Sequence, residues 1–237
     1  KDNPYKQLIV WNPEKEEIIG GYRYFNCEQA TCNQKENIDL STIHLFNFSD
    51  DFKNNFLPNT IELGRSFVQP DYQSGQSGRK GIFALDNLWD GLGALIVDNP
   101  NVKYFFGKVT MYPHFNQTAR DYILYFLQAY FADKDNLVRP IKPLSFYMPA
   151  DELKKIFPGN DYKAEYKILS QKVRELGVNI PPLINAYMNL SPTMRNFGTA
   201  LNTVFGDVEE TGIMITIKDI YDTKTKRHIE SYIQEEK

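Results

Sequence analysis

The sequence has few cysteines, no long apolar run and no large excess of charge of either sign, and each shortage excludes a class of protein. Its two cysteines, Cys27 and Cys32, are too few for a disulfide framework, and no histidine has zinc-ligand spacing to them. No apolar stretch approaches the roughly 20 residues that cross a bilayer. The net charge of −3 gives no general attraction to nucleic acid. We therefore expect reduced thiols, a cytoplasmic location, no metal site and no nucleic-acid partner.

The composition is that of a globular protein. Hydrophobic residues make up 42% of the 237 positions and charged residues 24%, which is enough apolar material for a sizeable core. Aromatic residues are abundant at 14%, as expected either of a well-filled core or of a shelter for a long apolar ligand. We predict a single domain over 1–237, with a helical insertion at about 114–178 and a charged tail at 222–237.

The order of apolar patterns predicts an α+β domain with a mixed, mostly antiparallel sheet flanked by helices. The first two strands form a hairpin, in which Gly20 and Gly21 indicate a bulge or a close approach of another backbone or of a ligand. In chain order we predict strands at 7–11, 17–25, 61–68 and 103–111, helices at 82–97, 116–131, 150–157 and 162–176, and strands at 181–190 and 212–220.

The segment between strand 61–68 and helix 82–97 is rich in glycine. Gly75, Gly78 and Gly81 let a backbone close around a phosphate, and the helix that follows presents unpaired N–H groups. Arg79 and Lys80 add positive charge just before the helix. The glycine spacing matches neither a P-loop nor a dinucleotide-binding fingerprint. From the residues alone, an anion site and an ordinary surface loop are both open.

Five motifs in this part of the chain occur in the order typical of one family. They are IIGGYR at 18–23, IELGRSFV at 61–68, the proline-tyrosine loop at 70–72, LWDGLGALI at 88–96 and KYFFGKVTMYP at 103–113. In this order they resemble the GNAT-related N-acyltransferases that include ornithine–acyl-carrier-protein N-acyltransferase and proteins often labelled hemolysins. The Glu-x-x-Arg pattern at 62–65 is more distantly similar to acyl-homoserine-lactone synthases. The likeness covers about residues 5–112 and implies a GNAT-like fold.

The resemblance implies an enzyme. It implies transfer of a long-chain fatty acyl group, with or without a 3-hydroxyl, to the amino group of a small amino acid such as ornithine or glycine, in aminolipid synthesis. The co-substrate would be an acyl-phosphopantetheine thioester on acyl carrier protein or coenzyme A, with no tightly bound cofactor. It also suggests peripheral contact with the inner membrane face. Two alternatives stay open: a coenzyme A-dependent N-acetyltransferase, and a non-catalytic lipid-binding or hemolysin-like protein.

The resemblance makes Glu62 the candidate general base, which would take a proton from the attacking ammonium, directly or through water. The alternative is a structural carboxylate that pairs with Arg23 or Arg65. Because Glu62 and Arg65 are three apart on one strand, they point to opposite faces unless a bulge intervenes.

The remaining candidates take their roles from the resemblance. Arg65 and Ser66 would contact the thioester region or the substrate, and the alternative for them is a strand salt bridge and a strand-end hydroxyl. Backbone N–H groups of Phe67 and Val68 would hold the thioester carbonyl or a pantetheine amide. The donor's phosphate would lie on Gly75, Gly78, Arg79, Lys80 and Gly81, and the acceptor would meet Arg23 and His44.

Overall fold

The computed structural model describes residues 5–28, 40–73, 79–230 and 232–233, with the backbone alone for 79–87. Contacts divide the chain into two compact units, which are taken one at a time below. Unit 1 comprises Lys1–Ile38, Phe56–Phe106 and Thr216–Lys237, and unit 2 comprises Asp39–Asn55 and Gly107–Ile215. The single-domain assignment of 1–237 stays a prediction beside this division.

The secondary structure confirms the predicted α+β class, because mostly antiparallel strands are flanked by helices. The strands are β1 (Lys6–Asn12), β2 (Glu17–Asn26), β3 (Phe46–Phe48), β4 (Thr60–Val68), β5 (Tyr104–Met111), β6 (Val138–Pro140), β7 (Arg195–Asn202) and β8 (Val208–Thr216). The α-helices are α1 (Arg79–Asp98), α2 (Gln117–Phe131), α3 (Ala150–Ile156), α4 (Tyr162–Glu175), α5 (Pro182–Met188) and α6 (Asp222–Thr225).

The predicted hairpin is confirmed in unit 1, where β1 pairs antiparallel with β2 and β2 pairs antiparallel with β4. Its turn is held by Asn12, whose side-chain oxygen accepts the N–H groups of Glu14 and Lys15 at 3.1 and 3.4 Å. The register of the β1–β2 pair shifts by one residue between Val10 and Trp11, because Val10 lies opposite Gly20 while Trp11 lies opposite Ile18.

The double glycine marks a close approach of backbones, as predicted. A Cβ atom on Gly20 would lie 2.7 Å from the carbonyl oxygen of Phe67 on β4. A Cβ atom on Gly21 would lie 2.7 Å from the carbonyl oxygen of Leu8 on β1. Both distances are too short for a carbon atom, so only glycine lets the three strands approach this closely.

Helix α1 covers one face of β1, β2 and β4. Its Leu88 side chain lies 3.5 Å from the position of a Cβ on Gly20, and Gly91 lies against the side chain of Leu8. Leu88, Leu92 and Leu95 are buried, which accounts for the apolar spacing of the helix. The opposite face of β1, β2 and β4 is called the site face below. Side chains alternate along each strand, so those that point away from α1 lie on the site face.

Unit 2 contains the later residues of β5 beside β8, which pairs antiparallel with β7, and a separate antiparallel pair of β3 with β6. Helix α2 begins after Asn116, whose side chain accepts the N–H of Ala119 at 3.0 Å. The buried Arg120 donates to Glu209 at 2.7 Å and to Asp121 at 2.6 Å. The core of the unit includes Phe46, Phe52, Ile123, Phe126, Leu127, Phe157 and Met214.

The strand predicted at 181–190 is wrong, because this segment forms helix α5. Pro181 and Pro182 stand at its start, where a missing N–H and a fixed φ angle suit the first helical turn. A short apolar run does not separate a strand from a buried helix by its pattern. The strand that follows is β7, which the sequence analysis missed, and the strand predicted at 212–220 begins earlier, at Val208, and ends at Thr216.

Candidate active site

Three strands of unit 1 bring candidate residues together in rows across the site face. The pairs Phe25–Glu62, Arg23–Gly64 and Gly21–Phe67 join β2 to β4, and β1 adds Gln7 opposite Arg23 and Ile9 opposite Gly21. One step beyond the last pair of β1 and β2, Tyr5 lies beside Phe25, with ring centroids 5.2 Å apart. The rows are Tyr5–Phe25–Glu62, Gln7–Arg23–Gly64 and Ile9–Gly21–Phe67.

Glu62 is a buried carboxylate, with 1% of its surface exposed. The hydroxyl of Tyr5 donates a hydrogen bond to its Oε2 atom. Within the described parts of the chain, no ion pair joins Glu62 to Arg23 or Arg65. The partner of the carboxylate among the described residues is a tyrosine, and the choice between a catalytic and a structural role for Glu62 stays a prediction.

A β-bulge interrupts β4 at Arg65 and Ser66. Gly64 pairs with Arg23 and Phe67 pairs with Gly21, so two residues of β4 lie opposite Tyr22 alone. Arg65 has a φ angle of 50°, in the left-handed region that non-glycine residues rarely adopt. The extra residue changes the alternation of side chains, which is why Phe67 shares the site face with Glu62 although five positions separate them.

The side chains around the bulge are accessible. Arg65 and Ser66 are exposed, and 47% of the surface of Phe67 is exposed. A bulge leaves one residue outside the hydrogen-bond ladder, so its backbone polar groups are available to a ligand. Backbone strain of this kind is concentrated at functional sites in proteins.

The chain that leaves β4 is fastened to the hairpin. The N–H of Gln69 donates to the carbonyl oxygen of Ile19 at 2.8 Å, and the side chain of Gln73 donates to that of Val68 at 2.8 Å. Tyr72 lies in the short turn Pro70–Tyr72, where its hydroxyl donates to Glu17 and accepts from Asn12. These contacts fix the direction in which the chain departs from the site.

The glycine-rich segment is only partly described. Gly75 and Gly78 lie outside the described residues, so their predicted contact with a phosphate stays a prediction. Helix α1 begins at Arg79, three residues before the predicted start. Arg79, Lys80 and Gly81 therefore belong to its first turn and not to the preceding loop, and this corrects the predicted boundary.

Arg23 is half-buried and lies against Tyr5. Its guanidinium carbon is 3.9 Å from the centroid of the Tyr5 ring, within the range of a cation–π interaction. Its Nε atom is buried and has no hydrogen-bond partner among the described residues. One side chain, Tyr5, thus contacts both the cation of Arg23 and the carboxylate of Glu62.

Cys27 lies close to the same carboxylate. It follows Phe25 by two residues on the same strand end, and its N–H donates to the carbonyl oxygen of Thr60 at 2.9 Å. Burial, and after it the charge of Glu62, raises the pKa of the Cys27 thiol far above its usual range. The thiol is therefore neutral at physiological pH and is a poor nucleophile.

The sequence analysis did not find Tyr5 and did place His44 among the candidates. Tyr5 precedes the first predicted strand at 7–11, and the signal that would have revealed it is the hairpin register continued one step beyond Lys6. His44 lies in unit 2, in the turn at 41–45, with an exposed side chain. Its contact with the acceptor stays a prediction.

No group of three or more His, Cys, Asp or Glu side chains within the described ranges is placed to hold a metal ion. No helix in the described part of the chain has the length and apolar character needed to cross a membrane.

Comparisons with known proteins relate the chain to acyltransferases by sequence. Residues 1–79 match the family model described as an acetyltransferase (GNAT) domain. Two proteins named glycine N(alpha)-acyltransferase are each 57% identical to the chain. The one from Phocaeicola vulgatus aligns over 234 residues, 99% of this chain and 72% of its own length, and the one from Bacteroides thetaiotaomicron over 233 residues, 98% and 69%. A crystal structure of aminoglycoside 6'-N-acetyltransferase complexed with coenzyme A has a TM-score of 0.35 at 10% identity, covering 91% of this chain and 74% of that chain.

Proposed function

The chain belongs to the N-acyltransferase family of its two glycine N(alpha)-acyltransferase relatives, and from that membership we propose that it transfers a long-chain fatty acyl group from acyl carrier protein to the amino group of glycine. That it is an acyltransferase follows from the family. The observation that carries the proposed chemistry is a buried carboxylate, Glu62, held by the Tyr5 hydroxyl three residues before a strained bulge at Arg65.

Glu62 serves as the general base. The acceptor arrives as an ammonium ion, which must lose a proton before its nitrogen attacks the thioester carbonyl carbon. Because the carboxylate is buried, the proton reaches it through the Tyr5 hydroxyl or a water molecule. The N–C bond forms as the carbonyl π electrons move to oxygen. The C–S bond then breaks, and the leaving thiolate takes up the second proton that the nitrogen loses.

The bulge in β4 receives the donor's reacting end. The backbone N–H groups of Phe67 and Val68 hold the thioester carbonyl or a pantetheine amide, in the manner of an oxyanion hole. The exposed Arg65 and Ser66 flank this position. What supports the assignment is the bulge just before these residues: Arg65 and Ser66 lie opposite Tyr22 alone, so the regular pairing of β4 with β2 is interrupted next to Phe67.

The donor's phosphate is assigned to the segment that leads into α1. Gly75 and Gly78 precede the helix, and Gly81 lies in its first turn with Arg79 and Lys80. The N–H groups of a first turn lack partners within the helix and favour negative charge. Acyl carrier protein is proposed as the donor because the family resemblance points to it and because these two basic residues would meet an acidic carrier.

Glycine is proposed as the acceptor because both relatives are named for it. Ornithine is the second choice, and the comparison of the two is part of the test. Arg23 is assigned to the acceptor side.

The experiment is incubation of the purified chain with acyl carrier protein thioesters of several chain lengths, matching coenzyme A thioesters, and a pool of amino acids. Mass spectrometry identifies the products. We expect N-acylglycine from long-chain carrier thioesters at the highest kcat/KM. A preference for acetyl-coenzyme A would replace the donor in this proposal, and the absence of any acylated amine would remove the proposal itself.

A further inference from the structure

An arginine and a glutamate lie on neighbouring strands of the site face, and no ion pair joins these two within the described residues. Arg23 is opposite Gly64 on β4, and Glu62 is two residues before that glycine. The Tyr5 side chain contacts both groups, through its ring to Arg23 and through its hydroxyl to Glu62. A cation and an anion of the protein are thus close in space, and the Tyr5 side chain contacts both.

We propose that this separated pair is a binding site for an α-amino acid zwitterion, in which Arg23 binds the carboxylate of the acceptor and Tyr5 with Glu62 receives its ammonium group. The inference rests on the proposed N-acyl transfer and adds the feature by which the acceptor is recognised. Any acceptor that lacks a carboxylate next to its amine would then be a poor substrate.

Arg23 has the properties of a carboxylate ligand. Its Nε atom is buried and has no hydrogen-bond partner within the described residues, so a bound anion would satisfy it. The cation–π contact with Tyr5 restrains the guanidinium plane. A restrained guanidinium matches the two oxygens of a carboxylate with parallel hydrogen bonds.

The row of Arg23 also lies at a position along the strands that suits binding of the acceptor. It lies between the row of Glu62, which holds the base, and the bulge opposite Tyr22, where the thioester carbonyl is proposed to bind. Gly64 faces Arg23 across the strand pair and has no side chain to fill the space. An acceptor anchored at Arg23 would therefore have its nitrogen within reach of both the base and the carbonyl carbon.

The two protein groups should affect different kinetic constants. Arg23 binds a part of the acceptor that does not react, so its loss should raise KM for glycine. Tyr5 connects the reacting nitrogen to Glu62, so loss of its hydroxyl should lower kcat with little change in KM. A general loss of structure would not divide the two constants in this way.

The test compares glycine with glycinamide, which keeps the amine and lacks the carboxylate charge, using the same acyl carrier protein thioester. For the native chain we expect kcat/KM for glycine to exceed that for glycinamide by about 100-fold, the worth of charge-assisted hydrogen bonds. Arg23→Gln should raise KM for glycine by a similar factor and leave glycinamide unchanged. Arg23→Lys should recover part of the preference for glycine over glycinamide, because lysine keeps the positive charge but lacks the parallel N–H donors of the guanidinium.

Two further variants separate positioning from folding. Tyr5→Phe keeps the ring beneath Arg23 and removes the hydroxyl, and we expect a lower kcat at an unchanged KM for glycine. Arg174→Gln removes an exposed arginine of α4 and should leave both constants as in the native chain. Thermal melts of all variants show whether each is folded.

Glycine binding without donor, measured by calorimetry, distinguishes this inference from the proposed function. If the native chain acylates glycinamide as well as glycine, the carboxylate site is wrong and the acyl transfer stands. If no amine is acylated but glycine binds and Arg23→Gln abolishes that binding, the site stands and the proposed reaction is wrong. If Arg23→Gln is folded and affects both acceptors equally, Arg23 does not bind the carboxylate.

Discussion

A single carboxylate, Glu62, has the most specific surroundings of the candidate residues. It is buried on the site face and accepts a hydrogen bond from Tyr5, while no ion pair within the described residues joins it to Arg23 or Arg65. A hydroxyl donor, unlike an arginine, can pass a proton on. This is the physical reason to assign Glu62 to chemistry.

Glu62→Gln should reduce kcat and leave the fold intact. The amide still accepts a hydrogen bond from Tyr5 but takes no proton, so we expect a loss of about 10²–10⁴-fold in kcat, the usual worth of general-base assistance. Steady-state kinetics with circular dichroism measures both quantities. Glu14→Gln, on an exposed turn of the hairpin, is the matched control. Retained activity in folded Glu62→Gln would make the residue structural.

Arg65→Gly should change stability and activity in opposite directions. The φ angle of 50° is unfavourable for arginine and suits glycine, so we expect the free energy of unfolding to rise by about 0.5–1 kcal/mol. Loss of the side chain next to the donor should lower kcat/KM. Glu16, with a φ angle of 52° in the hairpin turn, gives the control: Glu16→Gly should stabilise similarly without affecting activity. Urea titrations measure the free energy of unfolding, and steady-state kinetics measures kcat/KM.

Cys27 should make the fold sensitive to alkali. Burial raises the pKa of its thiol in the folded state, so only the unfolded chain ionises there above about pH 8.5. The contribution of Cys27 to stability is therefore complete below that pH and is lost as the pH rises. We expect it to lower the free energy of unfolding by about 1.4 kcal/mol per pH unit in that range. Urea melts from pH 7.5 to 9.5 should show a shallower decline for Cys27→Ala, and equal slopes would contradict the assignment.

Among the structural elements, the hairpin and β4 form the platform that gives the site its shape. Glycines at 20 and 21 allow β1, β2 and β4 to approach closely, and bulges on β2 and β4 set which side chains share the site face. Helix α1 covers the other face and stabilises the platform through its leucines.

Gly20→Ala should disturb the platform where β2 meets Phe67. Its Cβ would lie 2.7 Å from a backbone oxygen, which cannot move without shifting β4, so we expect a loss of about 1–3 kcal/mol in stability and reduced activity. Gly91→Ala on α1 is the matched comparison, because its Cβ would meet only the flexible end of Leu8. Alanine is more favourable than glycine inside a helix by about 1 kcal/mol, so the stability of Gly91→Ala should remain close to that of the native chain. Thermal melts distinguish the pair, and equal losses would contradict the backbone argument.

For the whole molecule, charge governs the encounter with a carrier protein. The net charge of −3 does not attract an acidic partner, so any attraction must come from a local basic group. Arg79 and Lys80, at the start of α1, are the group assigned to this role.

Reversing both charges should weaken the interaction with the carrier protein. We expect Arg79→Glu with Lys80→Glu to raise KM for acyl carrier protein thioesters by about tenfold at low salt. The difference from the native chain should shrink as salt is added. A short pantetheine thioester has no acidic surface, so its KM should hardly change. Lys154→Glu with Lys155→Glu, on the exposed surface of α3, is the control pair; if that pair raises KM instead, the carrier docks there.

The sequence by itself determined the order and type of most elements in unit 1. The hairpin, the strand that became β4 and the helix that became α1 follow from local alternation, helical periodicity and turn residues, and these are set by neighbours in the chain. It also identified Glu62 and Arg23 as candidates by resemblance. Its errors at 181–190 and at β7 arose where a short apolar run or a glycine-containing strand has no decisive local pattern.

Only the tertiary structure decided which side chains meet. Ile19 is an extra residue of β2 between the pairs Val10–Gly20 and Trp11–Ile18, and if the register of the turn continued without this shift, Tyr5 would lie beside Tyr24 and not beside Phe25. The bulge at Arg65 likewise puts Phe67 on the face of Glu62. Side chains alternate along a strand, so one additional residue reverses every position after it. Where such a residue is accommodated depends on contacts between distant strands, and the local sequence does not contain them.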